Sequence, residues 1–402
     1  MQMKKLMILG GSRYALPVIK AAHELGVYVI TADYLPDNIA HQYSDEYCNV
    51  SITEQEATLL AAQERAIDGV ISFACDPGVL TAAYVAEKMG LPSVGTYEAV
   101  SILQNKSRFR AFLAKHGFNV PTAKGYTSVE AALADASLFH WPAIVKPTDS
   151  AGSKGVSRVD EPAKLRAAID CALSYSRGKE FIVEDFITQK GFSSDSDCFS
   201  VNGELKFVSF NAQRFDPSAE NPFTPAAYSW PASISEIHQK ELAAEIQRLI
   251  RLLGLGTSVY NIETREGTDG KAYIMECSPR GGGNRLSECL EYATGVKLVE
   301  NAVRAALGMP IEGVEQKPYN GYWAEVVLHS DRPGVFDSLW IDESIADAVY
   351  ERDLWVRPGE PIGGFRAANE ALGTLILRFE TEERLQTIMQ DPSRYVNVLR
   401  KG

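Results

Sequence analysis

Apolar residues recur with two different periods along the first hundred residues. Short apolar runs at Lys5–Leu9, Val27–Thr31 and Val70–Phe73 have the length of buried strands. Between them, apolar residues recur every three to four positions, as along one face of a helix. Gly26 and Gly90 stand where two of these helices would end. Strands that alternate with helices predict a parallel sheet covered by helices on both faces.

Two turns of this predicted sheet follow strands at their carboxyl ends, where such sheets bind ligands. They are Gly10-Gly11-Ser12, after the first strand, and Cys75-Asp76-Pro77, after the run that ends at Phe73. The Gly-Gly-Ser turn is equally consistent with anion binding and with a plain tight turn, because a complete G-x-G-x-x-G pattern is missing.

The middle of the chain has a more mixed pattern. A helical period runs over residues 96–116, and residues 120–187 then mix short strands with one amphipathic helix. Asn202-Gly203 is a strong signal for a β-hairpin. Residues 214–231 are rich in Pro, Asn, Ser and aromatic residues, which predicts a long loop. The last segment, 319–402, is strand-rich.

Composition and charge disfavour one class of protein but do not identify the function. The 402 residues suggest two to four domains. The 52 acidic and 40 basic residues give a formal net charge of −12. A nucleic-acid-binding face needs a basic excess, so this class of protein is disfavoured. A local basic cleft for an anion is still compatible with the overall charge.

Targeting and redox signals are weak. The apolar run Leu6–Leu9 stops at Gly10 and is shorter than the roughly 7–15 apolar residues of a signal peptide. No stretch approaches the roughly 20 apolar residues of a membrane helix. None of the six cysteines belongs to a Cys-x-x-Cys pair, so reduced, apolar cysteines are expected. We therefore expect a cytoplasmic protein.

Residues 258–284 carry the most informative pattern. Two strand-like runs flank Asp269-Gly270, which is a dipeptide typical of a type I′ hairpin turn. A two-residue turn fixes the register so that Glu263 faces Glu276. The same register pairs the residues two positions away, Asn261 and Ser278. A four-residue loop would give the same pairs, whereas a three-residue loop would not.

The end of this hairpin has the residue types of a metal and phosphate site. Two glutamates directly opposite each other repel, and Mg²⁺ relieves this because it binds one or two carboxylates plus phosphate oxygens. The alternative is an exposed face on which Glu263 and Glu276 are both hydrated. Arg280 and Gly281–Gly283 follow the second strand, where a guanidinium and backbone amides suit a phosphoryl group. The alternative is a surface arginine before a flexible turn.

Lysines and small residues follow another predicted strand, Ile144–Pro147. Lys146 lies near its end, and the loop Thr148–Val156 has glycines that permit close approach to phosphates, although it is not a Walker A loop. Lys106 lies in a predicted helix. The edge of the strand Phe181–Ile187 can supply backbone donors and acceptors to a purine ring, and the alternative is a core strand that ends at the surface.

Taken in order, these segments resemble the ATP-grasp superfamily, and most of all its L-amino-acid ligases. The matching segments are NK (105–106), VKPTDSAGSKGV (145–156), IVEDFI (182–187), NIET (261–264) and MECSPRGGG (275–283). The resemblance implies an α/β and α+β fold in three parts. These are a Rossmann-like parallel sheet at 1–100, a two-lobed ATP-grasp domain at 101–310 with a small lid lobe at about 121–190, and a small β-rich domain at 311–402.

The resemblance also implies a role for each matching residue. ATP phosphates would be contacted by Lys106 and Lys146, with Lys146 also near the adenine. The lid over the β/γ-phosphates would comprise Ser150, Gly152, Ser153, Lys154 and Gly155. The adenine edge would be held by Glu184, Asp185, Phe186 and Ile187. Mg²⁺, or Mn²⁺ in its place, would be held by Glu263, Glu276 and Ser278. Catalytic stabilisation of phosphoryl transfer would come from Arg280 and Lys146. The acceptor would be bound by Gly281, Gly282 and Gly283.

Two positions depart from the family pattern. The family usually has Glu-x-Asn-x-Arg on the second metal strand, and here Ser278 replaces the Asn. A neutral hydroxyl would hold a second metal less tightly, or through water. The family often has an acidic ribose-binding residue after the adenine strand, but Gly191 stands there and Asp195 and Asp197 come later. The ribose contact is therefore left unassigned.

The implied function is an ADP-forming carboxylate–amine ligase that acts through an acyl-phosphate on small, amino-acid-like substrates. Arg214 is a candidate substrate contact, with a structural role in the loop as the alternative. His329 follows a strand and is either a site residue or, more simply, structural. Enzymes that use formate or bicarbonate share the same ATP machinery, and a catalytically idle ATP-binding scaffold is a third possibility. We expect no nucleic-acid or membrane partner and consider a homodimer as the assembly.

Overall fold

The computed structural model describes residues 3–150 and 152–401. The strands of this part of the chain are β1 (Lys5–Leu9), β2 (Tyr28–Asp33), β3 (Glu46–Asn49), β4 (Gly69–Ile71), β5 (Ala123–Tyr126), β6 (Ala143–Pro147), β7 (Ser157–Val159), β8 (Phe181–Asp185), β9 (Ser194–Val201), β10 (Glu204–Phe207), β11 (Ala212–Phe215), β12 (Pro225–Trp230), β13 (Ser258–Glu266), β14 (Ala272–Ser278), β15 (Tyr322–Leu328), β16 (Gly334–Ile341), β17 (Val349–Leu354), β18 (Pro361–Ile362), β19 (Gly373–Phe379) and β20 (Val396–Lys401).

The α-helices are α1 (Leu16–Glu24), α2 (Gln55–Arg65), α3 (Asp76–Met89), α4 (Tyr97–Gln104), α5 (Lys106–Lys115), α6 (Val129–Ala134), α7 (Leu165–Tyr175), α8 (Glu236–Leu253), α9 (Leu286–Thr294), α10 (Leu298–Ala306) and α11 (Glu382–Gln390). Within the described ranges, every helix is too short or too polar to cross a membrane.

The N-terminal part contains the predicted parallel sheet. Its strand order is β3-β2-β1-β4, and each neighbouring pair is parallel. Strand β3 has no counterpart in the sequence prediction, because Glu46–Asn49 lacks the apolar run of its neighbours. The predicted mixture of parallel and antiparallel sheets is confirmed, since the other sheets in the described ranges pair antiparallel.

A small antiparallel sheet, β5-β8-β6-β7, carries the lysine strand and the adenine-edge strand side by side. Strands β6 and β8 pair directly, with Ile144 opposite Glu184 and Lys146 opposite Ile182. Helix α7 packs its apolar side on this sheet, in a core that includes Val145, which is buried. These contacts fix Lys146 and Glu184 on a rigid support.

A second antiparallel sheet, β10-β9-β13-β14, carries the acidic residues. The Asn202-Gly203 turn between β9 and β10 is confirmed as a tight hairpin, because both residues have positive φ (+51° and +80°) and Val201 pairs with Glu204. Helix α8 covers the back of this sheet with Leu242 and Ile246, which are buried.

The prediction of one long loop over residues 214–231 is wrong. Strands β11 and β12 take up the two ends of this segment, residues 216–224 connect them, and both strands join the sheet β11-β12-β15-β19-β17. The Pro, Asn and Ser residues that suggested a loop lie mainly between the two strands. The end of the segment instead buries alternate large side chains, Tyr228 and Trp230, in the main core. The remaining sheet is β18-β16-β20.

Candidate active site

The predicted pairing of the two glutamates is confirmed. Glu263 on β13 lies directly opposite Glu276 on β14, and Asn261 lies opposite Ser278. Directly paired residues share a face of the sheet. Both carboxylates therefore project to the same side, with Glu263 23% and Glu276 43% exposed.

The turn that joins these strands differs from the predicted type I′ turn. Gly270 has a positive φ of +77°, but Asp269 does not, and a type I′ turn needs positive φ at both. The Gly267 amide donates to the Lys271 carbonyl at 2.8 Å, which leaves a three-residue loop. A bulge at Met275 restores the predicted register, since Thr264 pairs with Ile274 and Glu263 with Glu276.

Strand β9 adds a third carboxylate to this row. Asp195 lies directly opposite Glu263 on the other side of β13, and Asp197 lies opposite Asn261. Burial and the nearby Glu263 charge raise the pKa of Asp195 to about 8. Asp197 is fully buried, and its carboxylate accepts hydrogen bonds from the Gly282 amide (2.8 Å) and from the Ser287 hydroxyl. The sequence identified both aspartates only as late acidic residues.

Cations flank the carboxylate row at both ends. Lys106 Nζ lies 3.4 Å from Glu276 Oε1, and Arg265 Nη2 lies 2.8 Å from Glu263 Oε1. Burial raises the pKa of Glu276, but the positive charges of Lys106, Lys146 and Arg110 outweigh it and hold the pKa below its usual range. Glu276 can therefore carry the charge that a metal ion requires.

The donor set fits a magnesium ion that arrives with a nucleotide. The side chains of Glu263 and Glu276 face each other across neighbouring strands. Among residues 3–150 and 152–401, no three His, Cys, Asp or Glu side chains come close enough together to hold a metal ion alone. Mg²⁺ is usually bound by one or two carboxylates together with phosphate oxygens, so two glutamates are sufficient on the protein side.

A buried ion cluster supports the lysine strand. Lys146 Nζ lies 2.5 Å from Glu184 Oε1, and Arg110 Nε lies 2.8 Å from Glu184 Oε2. Burial alone would raise the pKa of Glu184, but Arg110 and Lys146 lower it to about 2. Sequence reasoning missed Arg110, although it follows Lys106 by four residues and so lies on the same helix face.

The backbone after β8 leaves the Ile187 amide available for a ligand. The Asp185 amide donates to the Thr122 carbonyl (2.8 Å), and the Phe186 amide donates to the Pro142 carbonyl (3.1 Å). No acceptor for the Ile187 amide occurs within the described residues. The Asp185 carboxylate is bonded to the backbone and the ring of His140. Of the predicted adenine-edge residues, Ile187 thus has the best-placed donor.

The glycine-rich lid lies against neighbouring parts of the site. Lys106 Nζ donates to the Ser150 carbonyl at 3.0 Å, and Ser153 Oγ donates to the Phe223 carbonyl at 2.9 Å. Gly152, Ser153 and Gly155 have positive φ, and Lys154 is exposed. The predicted lid is therefore joined both to Lys106 and to the loop between β11 and β12.

Arg280 is held by a carboxylate of the N-terminal part. Its Nε and Nη2 donate to the two oxygens of Asp76 at 2.9 and 2.7 Å, and its Nη1 donates to Asn261 Oδ1 at 3.1 Å. Burial disfavours the Asp76 carboxylate, but the Arg280 charge keeps its pKa below the usual range. This geometry confirms that the Cys75-Asp76-Pro77 loop lies beside the site.

Ser278 belongs to the same network. Its hydroxyl donates to Asp76 Oδ1 at 3.0 Å and accepts from Gln104 Nε2 at 2.8 Å. A serine hydroxyl has one proton and two lone pairs, so one lone pair is left for a metal or water. The residue that departs from the family pattern thus connects the metal strand to Asp76 and α4.

The triple glycine packs closely on the N-terminal part. A Cβ at Gly281 would overlap the Phe73 ring, and the Gly281 carbonyl accepts from the Ala74 amide at 3.2 Å. The Gly282 amide is used by Asp197. A Cβ at Gly283 would meet open space. An acceptor role for Gly281–Gly283 stays a prediction, and close packing already requires glycine at Gly281.

Two candidate residues lie apart from this cluster. Arg214 is buried, donates to the Ala212 carbonyl and Ser229 Oγ, and stacks over Phe192 at 4.3 Å. Gln213 and Tyr228 are directly paired and so share one face of the sheet that contains β11 and β12. Arg214, the next residue along β11, points to the other face. His329 is bonded to Asp216 and stacks on Phe365, which fits the structural alternative.

Replacing Asp76 by Asn is expected to lower kcat about 100-fold for ATP-dependent phosphate release, with a smaller effect on KM. The change removes the carboxylate that orients Arg280, and misplacement of a catalytic group by about 1 Å costs about that much. Steady-state kinetics with Mg-ATP measures the two parameters. Asp37→Asn, at an exposed position of the same part of the chain, is the control. Equal kcat values for the two variants would contradict the role of Asp76.

Comparison with known proteins agrees with this geometry. Residues 139–288 match the family model of the ATP-grasp domain. This range contains Lys146, the lid, Glu184, the two opposed glutamates and Arg280. Residues 139–288 therefore have the pattern of an ATP-grasp domain, in agreement with the resemblance drawn from the motifs.

Relatives cover nearly the whole chain. The formate-dependent phosphoribosylglycinamide formyltransferase of Synechococcus sp. (strain WH7803) is 28% identical over 377 residues, which are 91% of this chain and 93% of that protein. The L-amino acid ligase from Bacillus licheniformis superposes with a TM-score of 0.81 at 20% identity, with 100% of both chains covered. The MgADP and bicarbonate complex of the biotin carboxylase domain of Hydrogenobacter thermophilus 2-oxoglutarate carboxylase superposes with a TM-score of 0.75 at 16% identity, covering 100% of this chain and 92% of that one. The two superpositions show that the fold extends over the entire chain.

Proposed function

We propose that this protein is an ADP-forming carboxylate–amine ligase that activates a carboxylate as an acyl-phosphate and forms a C–N bond. The observation that carries the proposal is the row of opposed carboxylates, Glu263 and Glu276, with Lys106 at 3.4 Å and Arg280 on the neighbouring strand end. Lys106, Arg280 and a metal ion held by the two glutamates would balance the charge of a nucleoside triphosphate and of a carboxylate next to it.

The chain's own residues bind and orient the nucleotide. Lys146 is fixed by Glu184 and directed towards the phosphates, while the Ile187 amide is available to a purine ring nitrogen. Glu263 and Glu276 would hold Mg²⁺, which offsets phosphate charge when bound. Lys106 lies between Glu276 and the lid and would contact the terminal phosphates.

The reaction consists of two displacements at the same place. A carboxylate oxygen attacks the γ-phosphorus, the bond to the β-phosphate oxygen breaks, and ADP leaves. An amine then attacks the acyl carbon, inorganic phosphate leaves with the bonding electrons, and the amine loses a proton. Arg280, held by Asp76 and Asn261, offsets the negative charge that develops on the transferring phosphoryl group. Most of the catalysis is positioning and charge compensation.

We propose amino-acid-like substrates as the finer assignment. The fold match to the L-amino acid ligase from Bacillus licheniformis supports it. The decisive test is phosphate release by the full chain with Mg-ATP, first with single amino acids and then with all pairs. Release that depends on a pair, together with an amide product found by mass spectrometry, is expected. ATP binding without turnover on amino acids, formate or bicarbonate would favour the idle-scaffold alternative.

A second candidate function is formate- or bicarbonate-dependent chemistry on the same ATP machinery. The relative named a formate-dependent phosphoribosylglycinamide formyltransferase, aligned over 91% of this chain, favours this alternative. Phosphate release with formate and phosphoribosylglycinamide, and none with amino-acid pairs, would replace the amino-acid assignment. Release with bicarbonate alone would indicate a carboxylating enzyme.

Gly155→Ala is expected to uncouple ATP hydrolysis from amide formation by about tenfold, because an acyl-phosphate hydrolyses when a lid fails to exclude water. Gly155 has φ +72°, and a Cβ there would lie 2.9 Å from the Tyr175 ring. The ratio of amide to phosphate measures the coupling. Gly152→Ala is the matched control, because it has the same left-handed strain (φ +67°) but nothing within 4 Å of its Cβ. Equal coupling in both variants would contradict a role for the close approach of Gly155 to Tyr175 in excluding water.

A further inference from the structure

A carboxyl group without a partner lies inside the C-terminal sheet. Glu325, at the centre of β15, is fully buried, and neither of its oxygens has a hydrogen-bond donor among the described residues. Its direct neighbours on the adjacent strands are Tyr228 and Ile376. Since a buried, unpaired carboxylate is costly, burial raises the pKa of Glu325 well above its ordinary value. The group lacks a cation that would balance it.

The surroundings of Glu325 contain more carboxylates than cations. Arg285 is nearby, but its guanidinium is shared by Glu288 (2.9 Å), Glu351 (2.9 Å) and Asp353 (3.6 Å). Burial raises the pKa of Glu288 to about 7 even though Arg285 lowers it. Glu351 lies on the same face as Glu325, because both pair with Ile376. One arginine against four carboxyl groups leaves room for a further positive charge.

The hydroxyl of Tyr228, the residue directly opposite Glu325, is hydrogen-bonded to a residue from another part of the chain. Asn284 Nδ2 donates to the Tyr228 hydroxyl at 3.2 Å, and the Tyr14 hydroxyl donates to Asn284 Oδ1 at 2.9 Å. Asn284 and Arg285 both have positive φ (+51° and +62°), a backbone conformation that is strained for non-glycine residues. Such strain persists where the surrounding contacts hold it, and it often accompanies binding sites.

This region connects directly to the carboxylate row. Tyr228 pairs with Gln213 on β11, and Gln213 Nε2 lies 3.4 Å from Asp195 Oδ2. Asp195 in turn lies opposite Glu263. Neighbouring strands are about 4.8 Å apart, so Glu325 lies about 10 Å from Gln213 across two strands.

We propose that Glu325, together with the Tyr228 hydroxyl and Asn284, forms a subsite for the ammonium group of an amine or amino-acid substrate. The proposal rests on the proposed ligase function. An ammonium group supplies three donors and a positive charge, which matches two free carboxyl oxygens in an acidic environment. A hydroxyl in its place donates one hydrogen bond and leaves the charge unbalanced. The subsite therefore selects amino over hydroxy substrates.

The test measures binding to the full chain without ATP. Thermal shift and calorimetry with the twenty common amino acids, and with lactate and glycolate as the hydroxy counterparts of alanine and glycine, define the binding profile. We expect at least one amino acid to bind, its hydroxy counterpart to bind much more weakly, and Glu325→Gln to weaken the amino acid about 30-fold or more. Glu380→Gln, at an exposed site of the C-terminal part, should bind as wild type.

Tyr228→Phe provides a second variant, because it removes only a hydroxyl and keeps the buried ring; we expect it to weaken binding about fivefold. Unchanged binding by Glu325→Gln, equal binding of lactate and alanine or of glycolate and glycine, or no binding by any probe would each overturn the subsite. Turnover that does not depend on Glu325 would overturn the subsite but keep the ligase function. Binding that depends on Glu325 without phosphate release would keep the subsite but overturn the ligase function.

Discussion

Replacing Glu276 by Gln is expected to lower kcat/KM for Mg-ATP-dependent phosphate release by about 1000-fold, which is about 4 kcal/mol of transition-state stabilisation. Glu276 is one of the two opposed carboxylates, and its charge is maintained by Lys106 at 3.4 Å. The amide cannot supply the negative charge that a magnesium ion needs. Phosphate release at saturating and limiting Mg²⁺ measures the loss, and excess Mg²⁺ should restore only part of it.

The fold should survive this substitution. Gln removes the repulsion between Glu276 and Glu263 as well as the contact with Lys106, so the melting temperature should stay within about 3 °C of wild type. Glu204→Gln is the matched control, because Glu204 is an exposed glutamate of the same sheet that pairs with Lys206. Full activity of Glu276→Gln would show that the metal assignment is wrong.

Glu184→Gln is expected to have the largest effect on stability, a loss of about 3–5 kcal/mol in the free energy of unfolding. Glu184 is 2% exposed and neutralises two cations, Lys146 at 2.5 Å and Arg110 at 2.8 Å. Its removal leaves both positive charges in the protein interior. Urea unfolding monitored by circular dichroism measures the loss, and ATP affinity should fall because Lys146 loses its anchor.

A double-mutant cycle separates the ion cluster from a general packing defect. Arg110→Gln combined with Glu184→Gln should be less destabilised than the two single variants added together, because the double variant leaves one fewer unpaired charge. Glu161→Gln, in the exposed pair with Lys164, should change stability by less than about 0.5 kcal/mol. Strict additivity of Arg110→Gln and Glu184→Gln would contradict a coupled cluster.

The hairpins show how far local sequence signals reach. At Asn202-Gly203 the dipeptide adopts two positive φ values, and the local signal is sufficient. At Asp269-Gly270 the loop has three residues, and the predicted pairing of Glu263 with Glu276 arises only because Met275 forms a bulge. No dipeptide around Met275 indicates this bulge, because the bulge depends on how β13 is also paired with β9.

Long-range partners of the site residues were beyond the reach of the sequence. Composition suggested a loop at 214–231, yet β12 is a strand because its neighbour β15 pairs with it and the core buries Trp230. Glu325 gave no signal at all, because an isolated glutamate within an apolar strand has the same local pattern whether or not it faces a ligand. Burial on both sides of a sheet is a property of the assembled fold.

The sequence by itself determined which residue types we propose to meet a phosphate and a metal, and in which order they follow along the chain. Alternation along strands and a fixed register were enough to oppose Glu263 and Glu276, because these rules act over a few residues. Only the tertiary structure decided that Asp76 holds Arg280, 204 positions away, and that Arg110 shares Glu184 with Lys146. Contacts of this kind join helices and strands that are distant in the sequence, so they follow from how these elements pack and not from local spacing.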